Sequence, residues 1–147
     1  MVVTVDPGTT GGKPNFAGTW LNTRTEGDKK KFFKEGLEMR SPMLQIAGCL
    51  NYGTNKLMHV IVQDGDQITV TQTWPEKVTT TFNVDGQLHD GKTAEWDEDK
   101  LIITPGPDTK SADAFTNTRW MEGDTLVAKF SFASKPGVEI TRYFTRK

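Results

Sequence analysis

The sequence predicts an all-β protein, a closed antiparallel up-and-down β-barrel of about ten strands with a two-helix lid between the first and second strands. Three observations carry this. From residue 56 onward, short runs of alternating apolar and polar residues recur roughly every ten residues. They are punctuated by turn residues such as Asp64-Gly65, Asp85-Gly86 and Pro136-Gly137. A helical period occurs in one place, between residues 28 and 51. A meander of this length is expected to close, because closure removes the unpaired backbone groups of its edge strands.

The elements follow in order. Residues 1–14, with Gly11, Gly12 and Pro14, read as a flexible leader, and residues 15–147 as a single domain. The first strand is expected over 16–25. Asp28 is placed to cap a helix over 30–37, where Phe32, Phe33 and Leu37 share one stripe. Ser41-Pro42 starts a second helix over 42–50, with Met43, Leu44, Ile46, Ala47 and Leu50 on one face. Nine further strands are expected over 56–63, 67–74, 78–84, 87–89, 92–96, 100–104, 112–121, 125–133 and 138–145. Two short amphipathic helices inside a meander suit one open end of a barrel.

Composition narrows the function. The chain has 147 residues, a formal net charge of −1 and one cysteine, Cys49. An intrachain disulfide is excluded, which suits a reducing compartment. A near-neutral chain has no global field to draw in nucleic acid, and no basic stripe with interleaved aromatics is present. Met1 to Pro14 lacks a basic n-region and an apolar signal core, so a cytoplasmic protein is expected; a mature form whose signal has been removed stays open as the alternative. His59 and His89 are the sole histidines, and neither sits in a catalytic motif. No cofactor and no enzymatic activity are expected.

The last strand carries the functional signal. Val138, Ile140, Arg142, Phe144 and Arg146 share one face, which is apolar and therefore inward. Arg142 falls in the middle of it. A buried guanidinium needs a partner, and two remain open from the pattern: an internal acid, or a ligand carboxylate held by two parallel hydrogen bonds. An earlier strand repeats the pattern with Phe115, Asn117, Arg119 and Met121. Phe130 and Phe132 join Leu126 and Ala128 on one face, and Ile68, Val70, Gln72 and Trp74 on another. These stripes are core in a packed protein and pocket wall in a hollow barrel. Trp20 is expected to pack at the closed end. Phe32, Phe33, Met43 and Leu44 are expected to face the barrel mouth. Lys29-Lys30-Lys31 opens the first helix, either as a solvated face or as a patch touching anionic membranes.

The segment Phe16-Ala17-Gly18-Thr19-Trp20 resembles the opening of the fatty-acid-binding proteins, the intracellular lipid-binding family of the calycin superfamily. That family starts with a Phe-x-Gly-x-Trp strand, continues with a helix–turn–helix and adds nine strands. The same order of parts spans residues 15–147. Lys34-Glu35 and Ile46-Ala47-Gly48 are similar to its lid helices. The resemblance implies a carrier for a small hydrophobic ligand: a fatty acid, a retinoid-like molecule or another apolar acid. It also implies a monomer, with transient membrane contact through the lid. It places Arg119 on the family's eighth-strand arginine, anchored by Gly123-Asp124 and Leu126-Val127. It places Arg142 on the arginine of the terminal Arg-x-Tyr, where Phe144 stands for the tyrosine and removes a hydroxyl donor. Trp74 falls near the aromatic portal residue, whereas 85–110 is shorter than the family pattern. The resulting ligand set is Arg119, Arg142, Phe144, Phe32, Phe33, Trp74, Phe130 and Met121, with no catalytic and no metal-binding residue. Two rivals stay open. One is a chromophore-binding or luciferase-like oxygenase on a similar barrel, suited by Trp74, Trp96 and Trp120. The other is a secreted lipocalin-like binder.

Overall fold

The computed structural model describes residues 9, 10 and 12–147. Nine antiparallel strands form one sheet: β1 (Gly18–Gly27), β2 (Met58–Asp64), β3 (Gln67–Gln72), β4 (Val78–Asn83), β5 (Lys92–Asp97), β6 (Lys100–Pro105), β7 (Phe115–Glu122), β8 (Thr125–Phe132) and β9 (Glu139–Arg146). Their spatial order is β4-β3-β2-β1-β9-β8-β7-β6-β5. Every neighbour is a sequence neighbour except β1 and β9, so the meander closes by pairing its first strand with its last. Two-residue turns at 65–66, 98–99 and 123–124 set the hairpin registers, with Asp64 opposite Gln67, Asp97 opposite Lys100 and Glu122 opposite Thr125.

The barrel is nearly closed. Strands β4 and β5 are the two ends of the sheet order. The tenth strand expected over 87–89 forms a single bridge, His89 to Lys92. The reason is local turn chemistry. Asp85 Oδ1 accepts from the Gln87 amide at 2.9 Å, Asp85 Oδ2 lies 2.8 Å from His89 Nε2, and Asp90 adopts φ 50°. These turns consume the run before it can extend. The connection between β4 and β5 is tied to β5 by the Gly86 N–H, which donates to the Ala94 carbonyl at 2.9 Å.

Residues 1–8 and 11 of the expected leader lie outside the described residues. Thr9–Thr10 pairs with Lys13–Pro14 as a small hairpin. Pro14 is buried, and its carbonyl accepts from Gln63 Nε2 at 3.0 Å. Lys13 Nζ also donates to the Glu98 carbonyl at 2.8 Å, so Lys13 and Pro14 of the expected leader both touch the barrel.

The lid follows β1. Asp28 caps α1 (Lys29–Lys31) by accepting from the Lys31 amide at 3.0 Å. The helix then widens into a π-turn over Phe32–Gly36, closed by the Leu37 amide on the Phe32 carbonyl at 2.9 Å. This extra residue per turn brings both Phe32 and Phe33 to the buried side. Gly36 sits against Phe132, where an added Cβ would meet Cε2 at 2.5 Å. Helix α2 (Met43–Cys49) buries Ala47, while Met43 and Ile46 are exposed. Met43 thus points away from the barrel mouth, contrary to the sequence expectation, and Leu44 packs at the edge of the lid cluster. Among the described residues no helix is long and apolar enough to cross a membrane.

Two apolar clusters result. One fills the closed end around Phe16, Trp20, Ile68, Leu101, Leu126 and Phe144. Trp20 is fully buried there and donates from Nε1 to the Phe16 carbonyl at 2.8 Å. The other joins the lid to the barrel through Phe32, Phe33, Ala47, Phe132, Val138 and Ile140. Between them lies a polar layer.

Candidate functional site

Strand register stacks the interior in layers. Ala128 of β8 pairs with Arg119 of β7 on one side and Arg142 of β9 on the other. At about 4.8 Å per strand spacing, the two arginine backbones stand roughly 10 Å apart with side chains on one face. A residue as small as alanine between them leaves room for both guanidinium groups. Two residues toward the lid, Phe130 pairs with Asn117 and Ile140; two residues the other way, Leu126 pairs with Met121 and Phe144. The arginines therefore divide an upper chamber beneath the lid from a packed floor.

Both arginines are 5% exposed. Arg142 Nη1 donates to Asn22 Oδ1 at 2.7 Å and Nη2 to the Tyr52 carbonyl at 2.8 Å. Asn22 is held in turn: its Nδ2 donates to the Arg24 and Tyr143 carbonyls at 2.8 and 3.0 Å. Tyr52 presents its carbonyl because it adopts φ 52° in the turn Asn51–Gly53 that ends the lid. Gly53 follows at φ 90° against Trp74, where a Cβ would meet the ring at 2.6 Å. Arg119 Nε donates to Asn117 Oδ1 at 2.7 Å, and Nη1 to His59 Nδ1 at 3.1 Å. A guanidinium has no acceptor, so Nδ1 of His59 accepts and Nε2 carries the proton. His59 also stacks on Phe144, with centroids 4.6 Å apart.

The hydrogen bonds satisfy the donors without neutralising the charge. Among the described residues no carboxylate is buried, and the four ion pairs join surface groups other than these arginines. Burial lowers the guanidinium pKa of Arg119 and Arg142 to about 10. Burial first, then the field of Arg119 and Arg142, holds His59 neutral, well below its usual value of 6.5. The interior layer is therefore doubly cationic, with no buried carboxylate among the described residues, and a buried acid would complement it.

A cavity of about 200 Å³ opens above this layer. Its polar wall is Arg142, His59 and Gln72, and its apolar wall includes Phe32 and Phe33 from the lid, Trp74 beyond β3, and Phe115 and Phe130 from the barrel. Lys135 ties the lid in place, donating to the Glu35 and Gly36 carbonyls at 3.0 and 3.1 Å and facing Glu38 at 3.6 Å. Ser111 also donates to Glu38, and this bond, ahead of the Lys135 charge, lowers the Glu38 carboxyl.

Five of the sequence-derived ligand residues, Arg142, Phe32, Phe33, Trp74 and Phe130, meet at this cavity. Three do not line it. Arg119 lies behind His59 and reaches the chamber through that ring. Phe144 and Met121 sit one layer lower, because the inward period of two carries them about 7 Å further along their strands. Phe144 is fully buried in the floor. Arg146, expected on the inward face, is exposed at the end of β9, where it pairs with the buried Trp20 and lies over that ring at 4.2 Å. Of the three tryptophans that suited a planar chromophore, Trp74 alone lines the cavity; Trp96 packs on Phe16 and Trp120 lies under Lys100. The sequence reading missed His59, Asn22 and Tyr52. His59 alternates with Leu57 and Ile61, the period-two signal that marked Arg142. Among the described residues no group of three or more His, Cys, Asp or Glu converges as a metal site.

No family model matches the sequence, and no curated protein matches it. The fold does match. The apo crystal structure of lipid binding protein 8 of Caenorhabditis elegans superposes with a TM-score of 0.69 at 14% identity, covering 90% of this chain and 95% of that one. The resemblance read from Phe16–Trp20 and the helical pair is borne out at the level of the fold: a nearly closed antiparallel barrel with two helices after its first strand.

Proposed function

We propose that this barrel, which shares its fold with a lipid-binding protein, is a non-catalytic carrier for one small hydrophobic acid held inside it. One observation carries the reading: two buried guanidinium groups flank Ala128 with no buried carboxylate among the described residues. A ligand carboxylate relieves their mutual repulsion and their desolvation at once. Arg142 and the Nε2 proton of His59 receive the head group, and Arg119 positions His59 from behind. The body of the ligand packs against the lid and strand aromatics, and the apolar area it buries supplies most of the affinity. A fatty acid, a retinoid-like acid or another apolar carboxylate fits this chemistry. The carrier acts as a cytoplasmic monomer. Its lid, with Lys29, Lys30 and Lys31 at the N-terminal end, touches anionic membrane surfaces during transfer.

Calorimetry with an acid and the matching alcohol tests this. Wild-type protein should prefer the acid, and Arg142→Gln should weaken the acid by about 1.5–3 kcal/mol while leaving the alcohol nearly unchanged. An acid-to-alcohol preference untouched by Arg142→Gln would make the arginines an internal structural feature. Native mass spectrometry of freshly purified protein should reveal an acid that copurifies.

A further inference from the structure

We infer that the preferred ligand is a compact aryl carboxylate rather than a long acyl chain. The inference rests on the acid-carrier reading and adds the class of acid. Three observations point to it.

The first is volume. The cavity measures about 200 Å³, below the roughly 300–1,000 Å³ usual for drug-sized ligands. The second is the floor. One layer below the arginines, Phe144 and Leu126 are 0% exposed and pack with Phe16, Trp20 and Leu101, also 0%. An acyl chain whose carboxylate sits at Arg142 has no path downward. It would have to turn back through the lid, where Phe32 and Phe33 already pack on Phe132, Tyr52 and Trp74.

The third is the chemistry of the wall. Five aromatic side chains surround the chamber, and they already meet in tilted or edge-to-face arrangements. Phe32 meets Phe130 at 6.4 Å and 63°, Phe115 meets Phe130 at 5.7 Å and 64°, and Phe33 meets Trp74 at 6.1 Å and 58°. A further ring entering such a set gains roughly two- to tenfold in affinity per ring contact beyond its buried area. A flexible chain gains no such term and loses rotamer freedom on entry. The head group and the ring thus occupy opposite ends of one short slot, with Arg142 and His59 below and the aromatic wall above.

Calorimetry on delipidated protein decides between the two classes. One series runs from hexanoate through decanoate to palmitate. The other contains naphthylacetate, indolepropionate and phenylpropanoate. Affinity along the first series should rise by about fourfold per methylene and then stop rising before palmitate. Naphthylacetate should bind at least tenfold tighter than a straight-chain acid of equal carbon number. Phe115→Ala, which widens the chamber, should move the plateau to longer chains. Affinity that climbs steadily to palmitate, with aryl acids no better than chains of the same size, overturns the aryl inference and leaves the acid carrier standing. Failure of both series to bind, while the matching alcohols do bind, overturns the acid-carrier reading itself.

Discussion

Arg142→Met separates a charge kept for a ligand from a charge kept for the fold. In the ligand-free barrel, the burial that lowers the guanidinium pKa to about 10 corresponds to roughly 3 kcal/mol against the charged form, at about 1.4 kcal/mol per pH unit. Methionine removes that cost and the repulsion from Arg119. It also removes three hydrogen bonds: to Asn22 Oδ1 at 2.7 Å, to the Tyr52 carbonyl at 2.8 Å, and a long one at 3.5 Å to the Thr25 hydroxyl, which keeps its bond with Thr54. Asn22 Oδ1 keeps a bond from the Thr25 hydroxyl at 3.1 Å, so its loss is about 1 kcal/mol, whereas the Tyr52 carbonyl loses a charged donor and costs about 2 kcal/mol. Gain and loss nearly cancel. Urea denaturation of the delipidated protein should therefore give a stability within about 1 kcal/mol of wild type, while calorimetric affinity for an acid falls at least tenfold. A loss of about 3–5 kcal/mol without ligand, the usual consequence of breaking a buried charge pair, would refute the reasoning and make Arg142 a structural pillar.

Other outcomes follow from the same geometry. His59 is held neutral, so as pH falls through 6.5 the unfolded chain takes up a proton that the folded one does not, and stability drops by up to about 1.4 kcal/mol per pH unit until folded His59 protonates. His59→Gln keeps an acceptor for Arg119 and should lose about 1.5 kcal/mol less than wild type between pH 6.5 and 5, read from urea midpoints; parallel profiles would place the protonation elsewhere. Gly36→Ala forces a Cβ to within 2.5 Å of the Phe132 ring, so the lid should lift at a cost of about 1–3 kcal/mol and release ligand faster in stopped-flow Trp74 fluorescence; an unchanged off-rate would mean the ligand leaves by another route. Hydrogen exchange should be less protected over 28–51 than around Trp20 and Phe144, because side chains such as Lys135 hold the lid whereas β1 and β9 each pair on both sides. Equal protection would argue against a helical portal.

How much of this was legible depends on what each signal encodes. Turn residues encode hairpins, and Gly123-Asp124 alone fixes Glu122 opposite Thr125 and hence Arg119 opposite Ala128. Alternation encodes a face, which is why Arg142 reads as inward and why His59, between Leu57 and Ile61, carries the same mark. Neither encodes depth. The connection over 133–138 between β8 and β9 is too long to set a register by turn type, so the pairing of Ala128 with Arg142, and with it the layering, emerges only from packing. Phe144 and Met121 therefore share the inward face with Arg142 and Arg119 but lie one layer further from the lid. The lid was legible as helical, but the π-turn at Phe32–Gly36 was not, because it depends on Gly36 fitting against Phe132, far away in the chain. The tenth strand failed for the opposite reason: Asp85 and Asp90 build turns from their own neighbours, and local bonds outcompete a ladder that has no long partner. Once Arg119 and Arg142 share a layer across Ala128, their charge becomes a property of the barrel rather than of either strand.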